Sequence, residues 1–217
     1  MLKDKDIREA LFDYLELQYK KIRIYEEKMI GRSRADVYMV ITDALVGLEI
    51  KSDADTYTRL EGQIKDYDKY FDYNIVVVGS SHALHVEDHV PDYWGIITVE
   101  EVDGKADFYF LRKPILNTKV KVDKKLELLW RPELAMIQEK YQLPAYKRES
   151  KLFVRGKLIE KLEPEILNHE ISELLFERDY EKILSDIAEY RKENTPRRRG
   201  PKKSTRVRRV RRLAKKG

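Results

Sequence analysis

The run Tyr73-Asn74-Ile75-Val76-Val77-Val78-Gly79 constrains the fold more than any other stretch. Its apolar, β-branched residues follow one another without the polar alternation of a strand that has one wet face. Such a run reads as a strand covered on both sides, so the chain must build a sheet with layers above and below it. The neighbouring segments supply those layers. Ile7, Leu11, Tyr14, Leu15 and Tyr19 recur at helical spacing and predict an amphipathic helix over residues 3–20. Residues 21–29 alternate as a strand. Residues 35–41 and 45–51 read as two more strands, joined by the turn-like Thr42-Asp43-Ala44. Asp55 is placed to cap a helix running to Phe71, with Tyr57, Leu60, Ile64, Tyr67 and Phe71 on its buried side. "WGIITVE" reads as a further strand and "ADFYFLRKP" as an edge. The order predicts an α/β fold with a mixed central sheet flanked by helices over residues 1–118.

Residues 119–194 change character and predict a C-terminal helical appendage. Residues 195–217 hold twelve Lys/Arg and no acid, leaving residues 1–194 with 32 basic against 39 acidic side chains, a net of −7. This tail has too few apolar residues to fold alone and is expected to be disordered when free. An acidic body with a basic tail predicts a polyanionic partner. Arg197, Arg198, Arg199, Lys202, Lys203, Arg206, Arg208, Arg209, Arg211 and Arg212 are the candidate nucleic-acid-binding residues. RNA and anionic lipid are the other partners such a tail fits. Basic residues of the helical segment, from Lys147 and Arg148 through Lys151, Arg155 and Lys157, are a second candidate phosphate-facing set. The absence of cysteine excludes disulfides and thiolate metal sites. No signal-peptide core and no apolar stretch near the ~20 residues of a membrane span is present. A cytoplasmic, nucleic-acid-associated protein is expected.

The chemistry-bearing pattern lies in "RADVYMV" and "GLEIKSDADT". Glu49 and Lys51 are two apart on a strand and share a face, while Leu48 and Ile50 point the other way, into the core. If the strand bearing Asp36 pairs antiparallel with this one, Asp36 comes close to Glu49. Two carboxylates at strand ends suit a hard cation that takes oxygen ligands and keeps several waters, such as Mg²⁺, with Mn²⁺ as the alternative. The Ile50 carbonyl is a third oxygen. Lys51 beside them is placed to orient or activate water, or to neutralise charge that builds on a phosphate.

These residues, with the following "DTYTRLEGQIKDYDKY" and its apolar strand, resemble the PD-(D/E)XK nuclease superfamily. More closely, they resemble its bacterial and phage branch related to MmcB-type DNA-repair proteins. The resemblance covers about residues 5–145 and is densest from Arg34 to His82. It implies a restriction-endonuclease-like sheet, metal ligation by Asp36 and Glu49, and Lys51 as the catalytic lysine. It implies that Gln63 and Tyr67, one helical turn apart, flank the site, and that an upstream acid joins it. Glu26 and Glu27 are the candidates for that acid, and alternation with Ile22 and Ile24 favours Glu26. Ala35 stands where the superfamily's name has proline. The implied function is Mg²⁺-dependent hydrolysis of phosphodiester bonds, with DNA the favoured substrate, in DNA repair or phage and mobile-element biology. Many such nucleases are homodimers.

Other readings compete. A nuclease-like fold that binds DNA without cutting is the main alternative; an adaptor acting through its tail alone is the third. His82, His85 and His89 form an H-x-x-H-x-x-x-H pattern that could ligate zinc, but no fitting fourth ligand stands nearby except Asp88 or Asp92. Asp53 and Asp55 read as helix-start residues. Trp94 and Trp130 read as packing residues.

Overall fold

The computed structural model describes residues 4–53, 55–179 and 185. Six strands form one sheet in sequential order, β1 (Arg23–Ile30), β2 (Ser33–Ile41), β3 (Ala44–Lys51), β4 (Tyr73–Gly79), β5 (Gly95–Val102) and β6 (Lys105–Arg112). The first three run antiparallel as a meander. β3, β4 and β5 are parallel, and β6 returns antiparallel. The sheet is therefore mixed, and β4 lies inside it with parallel neighbours on both sides, as its unbroken apolar run requires. The β5–β6 hairpin turns on Asp103-Gly104, both at positive φ, a backbone twist that matches paired strands.

The two faces of the sheet are covered differently. One carries the helix α1 (Asp4–Gln18), whose Ile7, Leu11 and Leu15 pack on Val37, Met39, Val46, Leu48, Ile50, Ile75 and Val77. The other carries α2 (Leu60–Tyr70) and the later helices α4 (Val122–Glu127), α5 (Arg131–Lys140), α6 (Lys151–Lys161) and α7 (Pro164–Phe176). A short α3 (Ser80–Ala83) follows β4. Leu126, Leu134, Val154, Leu158, Leu167 and Ile171 join Tyr38, Val40, Tyr67, Phe71 and Trp94 in one core. The helical segment thus shares its core with the sheet. No described helix is long and apolar enough to cross a membrane.

Several expectations are revised by tertiary contacts. α2 begins at Leu60, after a 3-10 turn at Tyr57–Arg59, and Asp55 does not cap it. The Asp55 carboxylate instead accepts the Ser52 N–H at 2.9 Å and the Ser52 hydroxyl at 2.7 Å, closing the turn that leaves β3. Asp53 accepts the Ser81 N–H and hydroxyl, tying that turn to the loop after β4. The histidines form no zinc cluster. Tyr57 stacks on His89 with centroids 4.1 Å apart and meets His82 edge-on at 5.0 Å. Trp94 is fully buried and donates its indole N–H to Asp68 at 3.1 Å. Trp130 is half-buried beneath the Arg178 guanidinium. Arg155, expected to face phosphate, is buried and paired with Asp123 at 3.0 Å and Glu127 at 3.1 Å. The basic tail, residues 195–217, lies outside the described residues.

Candidate active site

The site forms where β2 and β3 part. The last residues they pair are Val37 and Leu48, so one step further Asp36 stands opposite Glu49. The separation begins there because the Asp36 carboxylate takes the Ile50 N–H at 3.0 Å, displacing the ordinary ladder. Arg8 of α1 donates to the Asp36 carbonyl at 3.3 Å. Asp36, Glu49 and Lys51 share the α2 face, as the strand period of two requires. Ile50 turns its side chain into the α1 core yet lines the cleft, so its backbone is what it offers to the site.

Glu49 is fully buried and almost completely engaged. Lys51 donates to its Oε1 at 2.6 Å, and Gln63 donates its amide N–H to the same oxygen. Lys51 also donates to Gln63 Oε1 at 3.2 Å. Tyr67 donates to Glu49 Oε2 at 2.7 Å, while its oxygen accepts the Asp36 N–H at 3.2 Å. Gln63 and Tyr67 reach the sheet from consecutive turns of α2. Their approach depends on Gly47, where a Cβ would lie 2.3 Å from the Phe71 ring and 2.7 Å from the Tyr67 ring. Burial, then the Glu49 charge, holds the Tyr67 phenol well above its ordinary range, so it remains a donor. Burial and the facing Glu49 charge push the Asp36 carboxyl up to about 6, against the opposing pull of the Ile50 N–H, Lys51 and Arg8.

The two upstream acids lie on different faces but share one cation. Glu26 pairs across from Val37, which packs against α1, so alternation places it with Ile22 and Ile24, away from the α2 face. Its carboxylate lies 3.4 Å from Arg8 Nη1, the same nitrogen that Glu27 holds. Glu27 stands opposite Asp36 and lines the cleft. Its φ of 54° marks a local distortion of β1. Arg8 holds its carboxylate at 2.8 Å and Arg34 holds it at 2.6 Å.

The cleft has a volume of about 1160 Å³. Asp36, Glu49, Lys51, Gln63 and Glu27 line it, and Tyr67 lies beneath. Among the described residues no three His, Cys, Asp or Glu side chains converge as a ready metal cluster. The donor set nonetheless fits Mg²⁺, which is commonly held by one or two carboxylates with water and substrate oxygens. Burial first, and then the Glu49 charge, raises the Asp36 carboxyl, while Lys51 and Arg8 oppose the rise. Asp36, Glu49 and the Ile50 carbonyl are the groups that would hold the ion.

Sequence reasoning missed the basic lining of this cleft. Eight Lys/Arg line it against five Asp/Glu. It also missed Asp66, which fastens the β1–β2 hairpin by accepting the Arg32 N–H at 3.0 Å, the Ser33 N–H at 3.1 Å and the Ser33 hydroxyl at 2.9 Å. These residues lie in several separate segments, from Arg8 to Lys124, that only the fold brings together.

Fold and site together define a class: a mixed six-stranded α/β protein with two carboxylates and a lysine gathered where two central strands diverge. The family described as bacteriophage P4 protein cII matches residues 1–197, and the chain belongs to that family. A curated relative, Protein cII of Enterobacteria phage P4, is 24% identical over 148 residues, covering 65% of this chain and 54% of its own length. The chain thus spans about half of that relative. A solved protein of unknown function from Silicibacter pomeroyi is 18% identical, with a TM-score of 0.41 over 54% of this chain and 74% of its own.

Proposed function

We propose that the protein is a divalent-metal-dependent nuclease with a restriction-endonuclease-like core, cutting phosphodiester bonds of DNA. The observation that carries this reading is the convergence of Asp36, Glu49 and Lys51 on one face at the end of β2 and β3. A bound Mg²⁺ would supply Lewis acidity toward a phosphoryl oxygen. Lys51, nearly buried and 2.6 Å from Glu49, presents a fixed positive charge where a phosphate gathers negative charge. Gln63 orients both Lys51 and Glu49, and Tyr67 holds the second Glu49 oxygen. Burial and the Glu49 charge raise the Asp36 carboxyl, and a bound cation would favour its ionised form. Glu27 is the nearer of the two upstream acids to this machinery.

The test is incubation of the full chain with plasmid, linear and single-stranded DNA in Mg²⁺ or Mn²⁺. Wild type should cut, and Lys51→Ala and Asp36→Asn should not. A wild type that binds DNA without cutting would end the enzyme reading. One observation favours that second reading, a non-catalytic DNA-binding module. Both Glu49 oxygens already have protein partners, as they would in a purely structural network. Metal titration separates the two: Mg²⁺ should raise the melting temperature of wild type but not of Asp36→Asn if the site is catalytic.

A further inference from the structure

We infer that the cleft itself is a polynucleotide-binding track, gripped by Arg32 and Arg59, and that the nucleic-acid anchor is not confined to the basic tail. This rests on the nuclease reading for its substrate class but on separate residues for its physics. Residues 1–194 carry a net of −7, yet the lining of this one cleft holds eight basic against five acidic side chains. A positive cleft in a negative body focuses its field at that opening.

Two of these cations differ from the rest. Lys51, Lys65, Lys69 and Arg34 are paired with Glu49, Glu61, Asp66 and Glu27. The side chains of Arg32 and Arg59 are exposed, line the cleft and make no hydrogen bond, ion pair or ring contact with a described residue. Arg32 sits at the tip of the β1–β2 hairpin and Arg59 heads α2, so the two enter the cleft from different elements. The hairpin tip is pinned. Asp66 accepts two of its backbone N–H groups, and the Gly31 N–H donates to the Tyr70 hydroxyl at 3.1 Å. Gly31, at φ +62°, permits this approach: a Cβ there would lie 2.7 Å from Asp66. The Arg32 backbone is thus held in place while its guanidinium is free to engage an anion. Planar, permanently charged guanidinium groups suit phosphodiester oxygens, which they bind through two parallel donors. Carried into the cleft by two different elements, they would fix the register of a strand without reading its bases.

The test measures equilibrium binding by fluorescence anisotropy, with the full chain in chelator so that nothing is cut. The probes are one short fluorescent single-stranded DNA and an RNA of the same sequence. Arg32→Ala/Arg59→Ala should weaken binding roughly tenfold or more and lower the salt slope by about 1–2. The charge-keeping Arg32→Lys/Arg59→Lys should keep the salt slope of wild type yet bind more weakly than wild type and more tightly than the double alanine variant, because an ammonium lacks the two parallel donors. Because both side chains are exposed and hold no hydrogen bond or ion pair with a described residue, thermal melting should be unchanged, which separates lost grip from lost fold. Binding equal to wild type in the double alanine variant, with affinity lost only in a full-chain Arg197→Gln/Arg198→Gln/Arg199→Gln variant, would overturn the inference. Binding by neither probe would overturn it as well. Failure of the nuclease reading looks different: the cleft still binds through Arg32 and Arg59, but Mg²⁺ produces no cutting. The DNA and RNA arms identify which backbone the track prefers.

Discussion

Glu49–Lys51 and Asp72–Lys125 are both buried carboxylate–lysine pairs on the α2 side of the sheet, and the fold treats them oppositely. Lys125, fully buried, donates to both Asp72 oxygens at 2.7 and 3.0 Å and to Asn168 at 2.7 Å, and Asp72 also accepts the Leu45 N–H. Every Lys125 donor has a partner and helices seal the pair, with the Asp43 carboxylate adding to the field at Lys125. Lys51 and Glu49 are as well bonded but line a cleft and face a second carboxylate, Asp36. A sealed pair joins elements together. An open one, with Asp36 beside it, leaves carboxylates where solvent, ions and substrate can reach them. The lesson is that burial of a charged pair alone says little, since breaking even a structural pair is costly. Its opening to a cleft distinguishes a site.

The comparison can be broken most sharply at Lys125. Lys125→Ala should destabilise the protein by about 3–5 kcal/mol, because Asp72 is left buried without its partner. Urea unfolding measures this directly. Lys51→Ala should lose roughly 10²–10³-fold in cleavage rate, the scale of one lost electrostatic donor, with a smaller stability loss because Gln63 and Tyr67 still satisfy Glu49. If the two variants unfold alike and neither they nor wild type cut DNA, the pairs are the same kind of structural device.

Asp36 sharpens the contrast through pH. Its carboxyl titrates at about 6 in the fold against an ordinary value of 3.8, so folding favours the protonated form. The stability it contributes is full below about pH 4 and is lost as pH rises through 6, a difference of up to about 3 kcal/mol. Metal-free Asp36→Asn should therefore resist urea better than wild type at pH 8, and the two should converge near pH 4. Gly47→Ala should cost about 1–3 kcal/mol by driving a methyl against Phe71 and Tyr67, and should impair cleavage by displacing Tyr67 from Glu49. The smallest effect belongs to Glu26→Ala, within about 0.5 kcal/mol and without loss of cleavage, while Glu27→Ala should reduce cutting. Reversal of those two outcomes would restore Glu26 as the upstream acid.

Much of this was legible in the residues. The unbroken Ile75–Val78 run announced a strand covered on both faces, and β4 is one. Asp36, Glu49 and Lys51 were readable because a strand repeats every two residues and an antiparallel hairpin brings equidistant positions face to face. That Glu27 and not Glu26 lines the cleft was not readable, because alternation reports which residues share a face, not which face looks toward the cleft. Asp55 was misjudged because a carboxylate near a helix start has several donors to choose from, and Ser52 was nearer.

The sequence by itself determined the order of elements, the strand that must lie inside the sheet, and the spacing that puts an acid and a lysine on one face, since these follow from local periodicity and apolar patterning. Tertiary structure alone decided which glutamate enters the cleft, which aspartate pins the hairpin, and which cleft arginines hold no ion pair among the described residues. Those outcomes depend on contacts between segments dozens of residues apart, whose distances no local pattern encodes.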